Sequence, residues 1–307
     1  MTDNLAPDHP RVVVMTGATS GIGAAALKEI ARRPGFRVIV GARGTGRTVP
    51  AGVETLPLDL ASLGSVREFA AAVTARLDGT PIDALVLNAA TQSRKVAGRT
   101  ADGFETTFGV NHLAHYLLAR LLEPRLADGA RVIFTTSDTH DPSIFPLAPR
   151  TLEPEKLAHS TTSRFRIGLR AYAASKLCNI LTARSLADSP DLRKRGVTVL
   201  AYNPGLTGGT NLGNPSPAER WLMNAVVFPI FRVIGLVRPA YVKGRPERAG
   251  EVLAQLATGD ITPPDGHLYA SLVRGEVTYP EPAPLARDDE IRDDLWRRSA
   301  SMVGLAP

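Results

Sequence analysis

Cysteine, lysine and long hydrophobic runs are all scarce in this sequence of 307 residues. The single cysteine, Cys178, excludes an internal disulfide framework and a cysteine-based zinc site. Only six of the 36 basic residues are lysines, and the arginines that carry most of the net charge of +6 are spread along the chain. This distribution argues against a nucleic-acid surface and fits anionic small molecules or a solvated surface better.

Targeting and membrane-spanning segments are also not predicted. The first residues, MTDNLAPDHPR, lack a basic region followed by an apolar stretch, so no signal peptide is predicted and the cytoplasm is the expected location. The most apolar segment, Trp221 to Val237, has only 17 residues and contains Pro229 and Arg232, which makes it a poor membrane span. A substrate-covering helix pair or a buried helix is favoured, and a membrane contact is the alternative.

Strand-like and helix-like patterns alternate along most of the chain, which favours an α/β fold with a parallel sheet. Short apolar runs typical of strands occupy residues 11–16, 36–41, 53–58, 83–88, 130–136, 197–202 and 267–272. Helical periodicity occupies residues 62–77, 103–122, 171–186 and 246–257. Because only residues 44–53 separate the second strand from the third, the crossover helix there is expected to be reduced to a turn or lost.

A glycine-rich run, TGATSGIG at residues 16–23, lies between a buried strand pattern and a helix pattern. Such a turn lets backbone N–H groups and the helix dipole approach a pyrophosphate without an intervening Cβ. Its spacing, G-x-x-x-G-x-G, differs from the common dinucleotide fingerprint G-x-G-x-x-G. A turn that needs glycine only for tight packing is the alternative interpretation.

A basic residue follows the second strand pattern, where NAD-binding units carry a carboxylate that accepts the ribose 2′-hydroxyl. Here the segment VIVGAR has no carboxylate and ends in Arg43, 20 residues after Gly23. A guanidinium at this place can pair with the 2′-phosphate of NADP, which predicts that cofactor, and Arg47 could assist. A surface arginine at a strand end is the alternative.

A tyrosine and a lysine lie one helical turn apart in the segment YAASK, residues 172–176. A phenol with a pKa near 10 is a poor acid or base at neutral pH. We expect the ammonium group of Lys176 to favour the phenolate and lower the pKa of Tyr172. The motif alone is common by chance.

Several motifs occur together in one order along the chain. They are TGATSGIG, Asn88-Ala89-Ala90 after a strand, Asn111 in a long helix, Ser137 ending a strand, YAASK, and Asn203-Pro204-Gly205. Over about residues 10–275 this combination resembles the short-chain dehydrogenase/reductase family. The stretches GVNHLAHYLL and YAASKLCNILTARSLA, with the long gap between Ser137 and Tyr172, are most similar to the branch of retinol dehydrogenases and light-dependent protochlorophyllide reductases.

The resemblance implies a single-domain Rossmann-type fold, a doubly wound parallel sheet of about seven strands with helices on both faces. Residues 1–10 would be a flexible N-terminus and residues 11–275 a dinucleotide-binding catalytic domain. Within that domain, residues 206–245 would cover the substrate. Residues 276–307 would form a C-terminal extension.

The resemblance also implies catalytic roles for four residues. Tyr172 would be the general acid in carbonyl reduction and the base in alcohol oxidation. Ser137 would hydrogen-bond the substrate oxygen and help to stabilise its developing charge. Lys176 would bind the nicotinamide ribose and lower the tyrosine pKa, and Asn111 would hold a water that relays protons from Lys176 to solvent.

The cofactor-binding residues implied by the resemblance follow the order of the chain. Asp59 and Leu60 would contact the adenine, Asn88 its ribose, and residues 204–207 the nicotinamide amide. The full set is Gly17, Thr19, Ser20, Gly21, Ile22, Gly23, Arg43, Asp59, Leu60, Asn88, Ala89, Tyr172, Lys176, Pro204, Gly205 and Thr207.

Three departures from the family pattern and four other residues need comment. Asn-Ala-Ala replaces the usual Asn-Ala-Gly, the 44–53 link is short, and residues 206–245 match nothing that can be assigned to a substrate. Cys178 is expected to be a buried small hydrophobe. No carboxylate or cysteine joins His112 and His115 at metal-ligand spacing, so packing roles and no metal site are expected. His140 could line the substrate mouth, although a structural role is favoured.

The sequence therefore predicts an NADP(H)-dependent oxidoreductase that transfers hydride between nicotinamide and a carbonyl/alcohol pair on a fairly hydrophobic small molecule, as a ketoreductase or alcohol dehydrogenase does. One alternative is a C=C reductase of the protochlorophyllide reductase type. The other is a catalytically silent NADP-sensing binding protein. No nucleic-acid partner is expected, and a homo-oligomer is left open.

Overall fold

A parallel sheet with helices on both faces forms the core of the computed structural model, which describes residues 10–44, 48–92, 98–160, 165–207 and 242–307. The strands are β1 (Arg11–Thr16), β2 (Phe36–Ala42), β3 (Glu54–Pro57), β4 (Ile82–Leu87), β5 (Leu126–Thr135), β6 (Thr198–Asn203), β7 (Tyr269–Val273) and β8 (Glu276–Thr278). Their order is β3-β2-β1-β4-β5-β6-β7-β8, and only the β7–β8 pair is antiparallel among these strands.

The described helices connect these strands or follow them. They are α1 (Gly21–Ala31), α2 (Leu63–Leu77), α3 (Thr106–Phe108), α4 (Ala114–Leu122), α5 (Pro154–His159), α6 (Phe165–Ala187), α7 (Pro190–Lys194), α8 (Pro246–Thr258) and α9 (Asp289–Met302). A π-helical turn, Gly109–Leu113, joins α3 to α4, and short 3₁₀ turns cover Glu123–Arg125, Asp138–His140 and Pro284–Arg287.

The sheet is buried on both faces, as a parallel sheet requires. Along β1, Val12 and Val14 belong to one apolar core, and Val13 and Met15 belong to the other. Helices α2, α4, α6 and α9 contribute to the first core, and α1 and α8 to the second. This is the predicted doubly wound architecture.

All seven predicted strands are present, and β8 adds an eighth at the edge. The strand predicted at 130–136 starts earlier, at Leu126, because the chain pairs with β4 through an irregular register near Ile82. The described residues between β2 and β3 contain no helix, in agreement with the short link, although residues 45–47 fall outside the described part.

Three further predictions concern segments outside the described residues: most of the N-terminus 1–10, the contact from Arg47, and residues 208–241, which include the apolar segment Trp221 to Val237. Among the helices that the structure describes, none is long and apolar enough to cross a membrane.

The C-terminal extension carries a helix that the sequence patterns did not predict. Helix α9 packs beside α4 and α6, where the ring of Trp296 meets Tyr116 edge-on at 4.9 Å between ring centroids. Ser299 Oγ lies 2.8 Å from His112 Nε2 in the π-helical turn. The extension therefore braces the segment that carries Asn111.

Candidate active site

The predicted site residues gather at the carboxyl edge of the sheet. Strands β1, β4, β5 and β6 run parallel, so their last residues, Thr16, Leu87, Thr135 and Asn203, lie along one edge. Open α/β sheets bind ligands at this edge, beside the point where the strand order reverses. In this sheet that point lies between β1 and β4.

The glycine-rich turn is pressed against the end of β4. A Cβ on Gly17 would lie 2.6 Å from the backbone of Ala89, and one on Gly23 would lie 2.0 Å from the carbonyl oxygen of Gly17. Gly17 also has a φ of 65°, which side chains rarely tolerate. Tight packing therefore accounts for these two glycines, and the same packing leaves the N-terminus of α1 facing the sheet edge with no acidic residue in its first turn.

Asn88 fastens three strand ends together. Its amide Nδ2 donates to the carbonyl of Gly17 at 3.1 Å, and its Oδ1 accepts from the hydroxyl of Thr135 at 3.1 Å. The hydroxyl of Thr16 accepts from the backbone N–H groups of Asn88 and Ala89 at 3.1 and 3.2 Å. These bonds fix the turn relative to β4 and β5.

The predicted adenine and 2′-phosphate residues lie at the ends of β2 and β3. Arg43 follows β2 directly and is exposed. Asp59 is exposed, and its Oδ1 accepts from the N–H of Ala61 at 3.1 Å. The side chain of Leu60 is buried in the core, which leaves its backbone as the part able to face a ligand.

Ser137 and Tyr172 meet although 34 residues separate them along the chain. Ser137 follows β5 and starts the 3₁₀ turn, where its hydroxyl accepts from the N–H of Thr139 at 3.3 Å. Tyr172 lies on α6, near enough to the Ser137 side chain for the serine to lower the tyrosine pKa. The fold thus brings the predicted acid and the predicted oxyanion donor together.

Lys176 lies beneath Tyr172 and is almost fully buried, with an exposed fraction of 1%. Its Nζ donates to the carbonyl of Thr135 at 2.8 Å and lies 5.5 Å from the centre of the Tyr172 ring. Burial lowers the pKa of Lys176 to about 7, because the charged amine loses its hydration.

The expected lowering of the Tyr172 pKa was wrong for this structure. Burial raises the pKa of Tyr172, the negative charge of Asp138 raises it further, and the hydrogen bond from Ser137 offsets only part of this increase. Lys176 does not reverse the shift, because burial lowers its own pKa and so reduces the fraction of the amine that is charged. The arrangement keeps Tyr172 protonated, as a proton donor requires.

Asn111 is buried in the π-helical turn, and both the oxygen and the nitrogen of its side-chain amide are hydrogen-bonded. Its Oδ1 accepts from the N–H of Thr91 at 2.7 Å, and its Nδ2 donates to the Thr91 carbonyl at 2.9 Å and to Ser175 Oγ at 3.0 Å. The Asn111 carbonyl accepts from Nδ1 of His115. Oδ1 of Asn111 accepts one hydrogen bond and keeps a second lone pair, to which the predicted relay water is able to donate.

The segment after β6 turns sharply at the same edge of the sheet. The N–H of Gly205 donates to Asn203 Oδ1 at 3.0 Å, and the hydroxyl of Thr207 donates to the carbonyl of Pro204 at 3.1 Å. Thr207 is the last described residue before the predicted substrate cover. Its placement near the nicotinamide stays a prediction.

Two residues singled out in the sequence have structural roles. Cys178 is fully buried, which raises the pKa of its thiol and keeps it in the unreactive form. His140 is also buried; its Nδ1 donates to the Ser137 carbonyl at 2.7 Å, and its Nε2 accepts from the N–H of Ala283 at 3.2 Å. The ring of His140 therefore connects the C-terminal extension to the 3₁₀ turn that begins at Ser137. These two bonds support the structural interpretation of His140.

One charged residue of the site was missed by the sequence reasoning. Asp138 follows Ser137 directly, and Ser137 Oγ lies 3.3 Å from its Oδ1. The pKa of Asp138 is raised to about 6, mainly by burial. The available signal was a carboxylate directly after Ser137, beside the other predicted site residues.

Comparisons with known proteins agree with this fold. The family described as short chain dehydrogenase matches residues 11–145. The cattle protein "Dehydrogenase/reductase SDR family member 13" is 35% identical over 99% of this chain and 76% of its own length. Human retinol dehydrogenase 13 is 33% identical over 96% and 85%, and rice protochlorophyllide reductase B, chloroplastic, is 31% identical over 95% and 77%.

Solved structures give the same result. The crystal structure of a protein from Mycobacterium paratuberculosis matches 97% of this chain and 97% of its own, with a TM-score of 0.70 and 28% identity. A short chain dehydrogenase from Burkholderia cenocepacia in complex with NADP covers 81% of this chain and 90% of its own, with a TM-score of 0.57 and 26% identity. The chain belongs to the short-chain dehydrogenase/reductase family.

Proposed function

We propose that this oxidoreductase uses NADP(H) to interconvert a carbonyl and an alcohol on a fairly hydrophobic small molecule. The observation that carries the proposal is the meeting of Ser137, Tyr172 and Lys176 at the sheet edge, with Ser137 near enough to lower the pKa of Tyr172 and Lys176 Nζ 5.5 Å from the centre of the tyrosine ring. The name of one relative, retinol dehydrogenase 13, indicates a substrate of this class.

The residues present fit NADP(H). Gly17 and Gly23 leave the turn free of side-chain atoms beside the N-terminus of α1, where a phosphate is favoured. Arg43 supplies positive charge just after β2, where an NAD-specific site would carry a carboxylate. The NADP complex of the Burkholderia cenocepacia relative supports the same cofactor.

Each residue of the site has a task in carbonyl reduction. Bound NADPH supplies the hydride to the carbonyl carbon. Tyr172 is the proton donor to the substrate oxygen, and its raised pKa keeps the proton in place until charge develops there. Ser137 provides a hydrogen bond to the same oxygen. Lys176 is held by the Thr135 carbonyl directly below the tyrosine.

A C=C reductase is the second candidate, because rice protochlorophyllide reductase B is similar along nearly the whole chain. Both reactions use a hydride and a protonated tyrosine, but the Ser137 hydroxyl close to Tyr172 suits the oxygen of a carbonyl group and favours carbonyl reduction. The site chemistry weighs against a silent sensor, because the hydroxyls of Ser137 and Tyr172 and the amine of Lys176 are all retained.

Oxidation of NADPH tests the proposal against a panel of ketones, aldehydes, quinones and α,β-unsaturated ketones, with product analysis by mass spectrometry. An alcohol product supports carbonyl reduction, whereas a saturated ketone product shows C=C reduction. Binding of NADPH without turnover of any compound would establish the sensor. Absence of NADPH binding would overturn the cofactor assignment.

A further inference from the structure

The carboxylate of Asp138 lies one hydrogen bond from the catalytic serine. Ser137 Oγ donates to Asp138 Oδ1 at 3.3 Å, and the side chain of Asn203 at the end of β6 helps to lower the pKa of the same carboxyl group. The Ser137 side chain also lies near enough to Tyr172 to lower the pKa of its hydroxyl. A chain of polar groups therefore runs from Tyr172 through Ser137 to Asp138.

The serine hydroxyl has one proton and cannot donate it to two acceptors at once. An ionised carboxylate is the stronger acceptor, since a hydrogen bond to a charged group exceeds one to a neutral carbonyl. A protonated Asp138 needs no such donor. The competition between Asp138 and a substrate oxygen for the Ser137 proton therefore depends on whether Asp138 is ionised.

We propose that Asp138 is a positioning residue that controls the Ser137 hydroxyl, withholding it from the substrate oxygen when ionised and releasing it when protonated. This inference rests on the proposed carbonyl reduction. No proton is consumed by the switch: Tyr172 still supplies the proton that reaches the substrate, and Ser137 contributes only its hydrogen bond.

Ionisable groups lie near Asp138 on its own loop, on α6 and on β7. Asp141, on the same loop, adds negative charge and opposes ionisation of Asp138. His140 carries a pKa lowered by burial, and its ring bonds the Ser137 carbonyl. Tyr172 on α6 and Tyr269 on β7 both have pKa values raised in part by the charge of Asp138. Lys176 Nζ is bonded to Thr135.

The charge of Asp138 acts in the same direction as the lost hydrogen bond. Hydride transfer to a carbonyl places negative charge on its oxygen, and proton donation places negative charge on Tyr172. An ionised Asp138 opposes both. Because its pKa is about 6, the carboxyl is neutral below that pH, and reduction should be fastest there and slow as the pH rises through about 6.

The test compares the pH dependence of kcat for one reduced carbonyl compound in the wild type, Asp138→Asn and Asp141→Asn. Asparagine keeps the shape of Asp138 but stays neutral, as protonated aspartate is. We expect kcat of Asp138→Asn divided by that of the wild type to be near one at about pH 5 and to reach roughly tenfold at about pH 8. Titration of Lys176 affects both proteins and cancels in this ratio.

Asp141→Asn is the matched control, since it removes a carboxylate from the same loop without touching Ser137. Its ratio to the wild type should vary by less than about twofold over the same range, which is within the influence of one partly exposed charge. A ratio for Asp138→Asn that stays constant with pH would overturn the proposal, as would the same change in both variants.

Carbon-13 NMR of aspartate-labelled protein separates this proposal from the proposed function, because it needs no substrate. The carboxyl signal that is missing in Asp138→Asn should titrate near 6. In Ser137→Ala its midpoint should move upward, because the serine no longer stabilises the charged form. If the midpoint does not move in Ser137→Ala, the coupling between Ser137 and Asp138 is contradicted, even if the enzyme reduces carbonyl compounds. If the midpoint moves but no carbonyl compound is reduced, only the proposed reaction is contradicted.

Discussion

Nδ1 of His115 donates a hydrogen bond of 3.1 Å to the carbonyl oxygen of Asn111, one turn earlier along the helix. The other ring nitrogen, Nε2, lies 3.0 Å from the hydroxyl of Thr16 at the end of β1, which donates to it. This buried, neutral ring therefore joins the start of the glycine-rich turn to the segment that carries Asn111. Protonation of Nε2 would remove its capacity to accept.

The stability of the protein should fall in mild acid because of two buried histidines. Burial lowers the pKa of His115 to about 4 and that of His112 to about 3, from 6.5 in the unfolded chain. Between about pH 6.5 and 4 the unfolded state binds more protons than the folded state, so the free energy of unfolding decreases as the pH falls. Urea unfolding across this range measures the effect.

The double variant His112→Gln/His115→Gln should show a flatter dependence on pH, whatever its stability at pH 7. His159→Gln is the control, since His159 is exposed on α5. A slope equal to that of the wild type in the double variant would show that other groups cause the acid sensitivity.

Tyr172→Phe should lower kcat by about 10²- to 10⁴-fold, the usual contribution of a positioned general acid. The dissociation constant of NADPH should stay close to that of the wild type, because the ring remains and only the hydroxyl is lost. Steady-state kinetics and fluorescence titration with NADPH give the two values. Retained turnover would remove the tyrosine from the mechanism.

Arg43→Ala should weaken NADPH far more than NADH. A charged hydrogen bond to the 2′-phosphate contributes about 1.5–3 kcal/mol, or about 10- to 150-fold in affinity, and NADH lacks that phosphate. Dissociation constants for both cofactors measure the difference. Arg32→Ala, which removes an exposed arginine after α1, should change neither value; equal losses for NADPH and NADH in Arg43→Ala would refute the assignment.

The sequence predicted the parts of this fold that short segments encode. Buried strands such as Val12 to Met15 are continuous apolar runs, and the glycine-rich turn is recognisable by its composition. Both features can therefore be predicted from a short stretch of sequence. The direction of the Tyr172 pKa shift was not, because it depends on burial and on Asp138, which only the folded chain brings to the tyrosine.

Helix α9 escaped prediction for a related reason. Its buried residues are Leu295, Ser299 and Ala300, of which only Leu295 is a large apolar residue, so its helical periodicity is weak. The residues that this face of α9 contacts, His112 and Tyr116, come from a segment about 180 residues earlier in the chain. A contact of this kind leaves no local pattern.

Removal of the aromatic contact on α9 tests whether the C-terminal extension braces the site. Trp296 packs edge-on against Tyr116, and the guanidinium of Arg120 lies 4.8 Å from the Trp296 ring. Trp296→Ala should lower the free energy of unfolding by about 1–3 kcal/mol, less than the loss of a fully buried aromatic, because Trp296 is only partly buried. Arg297→Ala, at the next and exposed position of the helix, should change it by less than about 0.5 kcal/mol. Urea unfolding measures both, and similar losses in the two variants would show that the ring does not anchor the extension.

Under conditions where Trp296→Ala stays folded, kcat should fall while the dissociation constant of NADPH stays unchanged. The lost contact supports the segment that carries Asn111 and lies away from the glycine-rich turn.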